Sequence, residues 1–126
     1  MQAHTPLLRL KAVAVAAALL LVASGQALAT TGQVVGNVYG VLMYADATFG
    51  GCMAYVLPSP DTVLPGCPSG WVTFSCSGDF TDSVRAYRMV DQAQLALATG
   101  KQVYVEFRDD LKHNGYCFAY RIDVWK

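Results

Sequence analysis

Charge is scarce in this sequence and favours neither sign: 14% of the residues are Asp, Glu, Lys or Arg, nine acidic against nine basic. A nucleic-acid partner would require a basic face, and the composition supplies none. Histidine is nearly absent, with only His4 and His113. The four cysteines contain no C-x-x-C pair. A zinc site therefore lacks its usual ligand spacing, and neither a metal nor a cofactor is expected. No phosphate-binding loop is present either. Gly32, Gly36 and Gly40 recur every four residues inside a β-rich stretch, not between a strand and a helix. Ser59, Ser69, Ser75, Ser77 and Ser83 all lie outside a nucleophile elbow. Asp109 and Asp110 read as solvated neighbours in a loop. His113, beside a turn, reads as an exposed loop histidine. The chain is accordingly not expected to be an enzyme.

Long apolar runs are scarce too. The only one is AVAVAAALLLVA, Ala12 to Ala23, preceded by Arg9 and Lys11 and followed by Ala27 and Ala29 in A-x-A spacing. A basic start, a short apolar middle and a small-residue end make up a secretory signal peptide. The run is short for a membrane span, which takes about 20 apolar residues. An uncleaved anchor is the alternative, and the Ala-Leu-Ala site argues against it. Residues 1–29 are therefore read as a leader and residues 30–126 as one exported domain, secreted or periplasmic, with no membrane span after cleavage. Without Arg9 and Lys11, seven basic residues face nine acidic ones, a net charge of about −2.

What the domain does have is cysteine and aromatic residues. Cys52, Cys67, Cys76 and Cys117 form an even set in a small exported chain, which reads as two disulfides. Seven tyrosines, five phenylalanines and two tryptophans provide core and surface rings.

The pattern of periods gives the layout. VVGNVYGVLMY, Val34 to Tyr44, is a strand in which Gly36 and Gly40 mark bends. ADATFGG is a turn, and Cys52 to Leu57 a second strand. Pro58 to Gly70 holds four prolines and two glycines and reads as a loop. WVTFSC, Trp71 to Cys76, is a third strand with Val72, Phe74 and Cys76 on one face. Thr81 or Asp82 then caps a helix whose apolar stripe is Ala86, Met89, Val90, Ala93 and Leu97. Gly100 sits where its C-terminal cap belongs. Val103, Val105 and Phe107 alternate with Tyr104 and Glu106 in a fourth strand. RDDLKHNG reads as a polar loop ending in the Asn114-Gly115 turn signal. Tyr116 to Trp125 is the fifth strand, with Phe118, Tyr120, Ile122 and Val124 on one face. The order βββαββ, mainly β with one helix, fits a five-stranded OB-fold barrel; an open antiparallel sheet with a packed helix is the alternative. In such a barrel Cys52 at the start of one strand faces Cys76 at the end of the next. Cys67, before strand three, comes near Cys117 at the start of strand five. The layout favours these pairs among the three connectivities that four cysteines allow.

Within this layout, DQAQLALATGKQVYVEF, Asp91 to Phe107, resembles the helix-to-strand passage of the B subunits of subtilase cytotoxin and typhoid toxin. The valine-rich first strand, a Cys opening the second and a Cys closing the third are similar as well, so the resemblance covers about Val34 to Phe107. It implies an exported OB-fold subunit, a homopentameric ring, binding to cell-surface glycans and a possible enzymatic A subunit as partner. The departures concern the ligand. The family's serine before Gly-Val in the first strand is replaced by Tyr39, before Gly40-Val41. Its sugar-contacting tyrosine of the fourth strand is replaced by Phe107. Its long segment after that strand is replaced by RDDLKHNG and a short strand. The resemblance thus implies the fold and the ring more directly than a sialic-acid ligand.

Asn37 and Tyr39, outward neighbours on the bent first strand, are the first candidates for a glycan site, with Phe107 and Arg108 near the barrel rim as the second. The expected function is that of a secreted glycan-binding module in a toxin-type ring. The alternative is a secreted or periplasmic inhibitor that binds another protein. The leader and the even cysteine count make one prediction: the exported protein begins at Thr30 and carries no free thiol. Intact mass before and after alkylation checks it, and alkylation of unreduced protein at all four cysteines would refute it.

Overall fold

Alternating burial along β-rich stretches such as Val34–Val38 and Val103–Phe107 places one face of the sheet in a shared interior, and the chain closes on it. The computed structural model describes residues 28–68 and 70–126. The leader assigned to residues 1–29 lies outside the described residues, apart from Leu28 and Ala29. The elements are β1 (Thr31–Met43), β2 (Cys52–Leu57), a short 3-10 turn at Pro60–Thr62, β3 (Trp71–Thr73), α1 (Ser83–Thr99), β4 (Gln102–His113) and β5 (Tyr116–Val124). The five strands form a closed barrel in the order β1-β2-β3-β5-β4. All neighbours are antiparallel except β3 and β5, which meet in parallel at the single pair Thr73↔Phe118. This is a five-stranded OB-fold barrel, with its helix between the third and fourth strands.

The interior is lined by Val34, Val38, Val56, Val72, Phe74, Val103, Val105 and Phe107, all buried. Gly36 is buried where β1 passes the Leu57 carbonyl so closely that any Cβ would collide with it. This close approach is the reason for glycine here; the β1–β4 pairing runs through Gly36 without a break, so no bend falls at this position. The register slips between Val38 and Gly40, leaving Tyr39 without a partner on β2.

The helix begins as the sequence implies, at Asp82, whose carboxylate accepts from Arg85 N at 2.9 Å. Gly100 closes it in the left-handed conformation. The buried stripe is Ala86, Val90, Ala93 and Ala96, with Met89 partly buried, and the small side chains let the helix sit close to the barrel. Leu97, expected in this stripe, is exposed instead. The C-cap explains the shift: the amides of Gly100 and Lys101 both donate to the Ala96 carbonyl, so the chain folds back over Ala96 rather than Leu97.

Three further expectations need correction. RDDLKHNG is not a loop. β4 runs through it to His113, and only Asn114-Gly115 turns, both residues having positive φ as a two-residue hairpin requires. Its charges are accommodated along the strand. Arg108 forks onto Asp110 at 2.5 Å, Lys112 Nζ donates to the Gly66 carbonyl at 2.6 Å, and Asp109 accepts from Thr30 N at 3.0 Å. β3 ends at Thr73 rather than Cys76, because Ser75 takes a positive φ and its amide donates to the Thr73 hydroxyl. In β5 the face Phe118, Tyr120, Ile122 and Val124 is broken. Glu106 pairs with Arg121 and Phe107 with Ala119, so Tyr120 is bulged out and the alternation changes phase there. Cys117 and Ala119 face inward before the bulge and Ile122 after it, while Tyr120 is exposed. Phe118 is buried outside the interior, against Phe80.

Both disulfides are as expected, Cys52–Cys76 and Cys67–Cys117, and no described cysteine is free. Such bonds belong to an oxidising compartment. Among the described residues no helix is long and apolar enough to cross a membrane. Cys67–Cys117 spans 50 residues and clamps the loop before β3 to β5, where the barrel has only one strand pair. Loop-closure entropy for that length gives about 4 kcal/mol. Replacing both cysteines by alanine should lower the unfolding free energy by that order, read from urea denaturation. A change below about 1 kcal/mol would show that closure does not depend on the bond.

Candidate functional site

The OB-fold commonly binds ligands on its β2–β3 face, between the β1–β2 and β4–β5 loops. In this protein that place is occupied by aromatic side chains. A cleft of about 210 Å3 is lined by Leu42 of β1, Phe49 of the β1–β2 loop, Met53 of β2, Trp71 of β3 and Tyr116 of β5. Phe49 and Tyr116 meet edge to face at 5.9 Å, and Tyr44 extends the row at 5.4 Å from Phe49. Tyr55 tilts against Trp71 at 5.3 Å. No charged side chain lines the cleft.

Local structure fixes each wall. The β1–β2 loop is held by Tyr44 N donating to Gly51 O and by Thr48 N donating to Asp46 at 2.8 Å. Those Thr48 hydrogen bonds keep the Asp46 carboxyl below its usual pKa. The Thr73 hydroxyl donates to the Phe49 carbonyl at 2.8 Å and tethers the loop to β3. Trp71 follows Gly70, which has φ +79, and the Tyr55 ring lies so close over Gly70 that no side chain could replace its hydrogen. Tyr116 follows the two-residue turn directly and is paired with His113.

His113 lies behind this wall, and its expected exposure is corrected. The side chain is 11% exposed, its Nε2 is 2.9 Å from Ser75 Oγ, and its ring stacks on Phe80 at 4.3 Å. It also packs so tightly against Gly50 that a Cβ there would collide with it. Ser75 is fully buried and accepts from Phe80 N at 3.1 Å. Asp79 stands 3.7 Å from the same Nε2. Serine and carboxylate thus share one imidazole nitrogen, unlike a catalytic triad, where the carboxylate holds the opposite nitrogen. The trio acts as a tether between the β4–β5 hairpin, the β1–β2 loop and the segment before α1.

The four residues singled out from the sequence do not form one site. Asn37 donates to the Gly100 carbonyl at 3.5 Å. Tyr39 is 62% exposed at the bulge, next to Gly40, whose outward side approaches the Trp71 ring. Phe107 is fully buried beside Gly32, a core residue that no ligand reaches. Arg108 is engaged by Asp110. Asn37 pairs with Gln102 on β4 while Arg108 pairs with Thr31. At about 3.3 Å per residue, that separates the two ends of the ladder by roughly 20 Å. Sequence reading missed Phe49, Trp71 and Tyr116 as a group. With the OB layout in hand, the position of Phe49 in the β1–β2 loop and of Tyr116 directly after the Asn114-Gly115 turn was the available signal.

Two larger hollows lie elsewhere. One, of about 330 Å3, lies beyond Tyr44 and is lined mostly by the β1–β2 loop, with Ser77 and Tyr87. The other, of about 320 Å3, lies between Val35, Gln102, Tyr104, Trp125 and Lys126. It adjoins a polar lattice in which Tyr104 bonds Gln33 and Glu106 and Arg121 lies 5.0 Å over the Tyr104 ring. The Glu106 bond raises the Tyr104 pKa. Each of these hollows also has two aromatic side chains in its lining, Tyr44 and Tyr87 in the first and Tyr104 and Trp125 in the second, but neither is lined by a residue of β2 or β3. No family model matches the chain, and no curated protein or solved structure matches it, so the fold assignment rests on the strand order itself.

Burial lowers the His113 pKa from 6.5, outweighing the opposite pull of Asp79. An unfolded chain therefore takes up a proton near pH 6.5 that the folded chain resists. The stability contributed by neutral His113 is complete above that pH and is lost as pH falls through the lower folded value. Urea midpoints should fall between about pH 7.5 and about pH 5, and His113→Gln should flatten that dependence. An equal fall in both proteins would remove His113 as its source.

Proposed function

We propose that the protein is an exported, non-enzymatic glycan-binding module of the B-subunit type, assembling as a homopentameric ring that can carry an enzymatic A subunit. The observation that carries the reading is the uncharged aromatic cleft between the β1–β2 and β4–β5 loops. Aromatic rings bury apolar surface while the Tyr hydroxyl and Trp N–H remain free for hydrogen bonds, the combination a sugar ring needs. The sequence likeness to toxin B subunits supports the ring. So do the exposed apolar side chains Val84, Tyr87 and Leu95 on one face of α1, which a subunit contact would cover. A closed ring would present five clefts in one array and convert weak single-site binding into tight attachment to a glycan-bearing surface.

Two measurements test this. Light scattering at tens of micromolar, roughly, should return a pentamer, and a strict monomer would count against the ring. A glycan array probed with the disulfide-bonded protein should give binding that Tyr116→Ala reduces while the thermal midpoint stays near wild type. An array with no binding at all would overturn the lectin reading in favour of a protein-binding inhibitor.

A further inference from the structure

The cleft allows the ligand class to be narrowed, an inference that rests on the glycan-binding reading above. We infer that it takes a neutral sugar residue, whose C–H face lies on Trp71 and whose hydroxyls reach the polar tips of Trp71 and Tyr116, and that it discriminates against acidic sugars.

Charge is the first argument. An acidic sugar brings a carboxylate, which needs a cation or several amide donors when it leaves water. The lining residues Leu42, Phe49, Met53, Trp71 and Tyr116 offer no cation. The nearby basic residues of the β4–β5 hairpin are already engaged, Arg108 by Asp110 and Lys112 by the Gly66 carbonyl. His113 faces Ser75 and Asp79 behind the wall, and its pKa is lowered, so it adds no positive charge at neutral pH.

The polar tips are the second argument. No buried side-chain nitrogen or oxygen among the described residues lacks a partner. Among the described residues, the indole N–H of Trp71 and the hydroxyls of Tyr55 and Tyr116 are neither buried without a partner nor bonded to another side chain. The fold does not use them, and a ligand with hydroxyls at its edge can. A purely apolar peptide side chain would fill the cleft but leave these groups unmatched.

Shape is the third. The lining rings Phe49 and Tyr116 are inclined by 67° to each other and Trp71 supplies a third flat ring, so the cleft presents flat ring surfaces at an angle rather than a smooth tube. A ring-shaped ligand with one apolar face and a hydroxyl-bearing edge complements such walls.

The test uses the whole disulfide-bonded protein on an array of paired neutral and sialylated glycans. The best neutral oligosaccharide is then titrated as a monovalent ligand by NMR. Neutral glycans should bind, and adding a terminal sialic acid at the contacting residue should abolish binding. The Trp71 indole N–H signal, assigned with Trp71→Phe, should shift on titration, and that of Trp125 should not. Trp71→Ala should weaken monovalent binding about thirty-fold with an unchanged thermal midpoint. If Trp71→Ala fails to fold, Tyr116→Phe serves instead: it keeps the ring, removes the hydroxyl and should weaken binding several-fold. Binding only to sialylated glycans would overturn this inference while leaving the lectin reading standing. So would neutral-glycan binding that leaves the Trp71 signal and both variants unaffected. Failure of every glycan to bind would overturn both.

Discussion

The hydroxyl of Thr73 is fully buried, and three separate parts of the molecule converge on it. Its oxygen lies 2.8 Å from the Phe49 carbonyl and 3.2 Å from the Cys52 carbonyl, and it accepts the Ser75 amide at 3.1 Å. Thr73 is also the residue of β3 that pairs with β2 at Met53 and with β5 at Phe118. The same side chain therefore ends β3, anchors the β1–β2 loop and stands at the strand pair that closes the barrel. Replacing it with valine would keep the shape but leave the Ser75 amide and the Phe49 carbonyl without this partner, each costing about 1–3 kcal/mol where it stays buried, while the Cys52 carbonyl keeps the Phe74 amide. Serine would keep the hydrogen bonds and lose the methyl group.

From that point the architecture follows by contact. Ending β3 at Thr73 sends the chain through Ser75, which meets His113, and through Cys76, which bonds Cys52. His113 in turn holds the end of the long β4–β5 hairpin against Phe80 and Gly50. The loop carrying Phe49 and the hairpin carrying Tyr116 are thus fixed to the same small buried cluster, although more than sixty residues separate them in the chain. A barrel with a single β3–β5 pair would otherwise be weakest at this seam. The tether and Cys67–Cys117 reinforce it from the two sides.

Most of the fold was legible in the sequence because its signals are local. Asp82 and Gly100 delimit a helix by chemistry that acts within four residues, and Val103, Val105 and Phe107 alternate without interruption. Asn114-Gly115 specifies its own turn. Legibility failed wherever a distant partner changed the local rule. The charges of Arg108, Asp109, Asp110 and Lys112 look like a loop until Thr30 and Gly66 bond to two of them. Tyr120 fits an alternating face until the bulge opposite Glu106 and Phe107 shifts the phase. His113 has no sequence neighbour that would bury it; Ser75, Phe80 and Gly50 do so through the fold. The candidate site failed for the same reason. Asn37 and Tyr39 are close in sequence and were legible as a pair, whereas Phe49, Trp71 and Tyr116 come from three elements and become neighbours only when the barrel closes.

The disulfides bear on the site as well as on stability. Cys52 adjoins Gly51 of the β1–β2 loop on one side and Met53, the floor of the cleft, on the other. Cys117 adjoins Tyr116. Both bonds therefore hold backbone one residue away from a cleft wall. Ordering a rotamer-rich side chain on binding costs about 0.5–1.5 kcal/mol, and a wall already packed in place avoids much of that cost. Tyr116 is held by Phe49, Phe49 by the Thr73 tether to its carbonyl, and Trp71 by Tyr55 lying across Gly70. A shallow cleft with few polar contacts can give only modest affinity for one small ligand. In the proposed ring, walls already packed in place would spare that ordering cost at every copy of the cleft, so that weak single sites could act together. In this domain the bonds that keep a small barrel folded and the bonds that keep its aromatic walls in place are the same bonds.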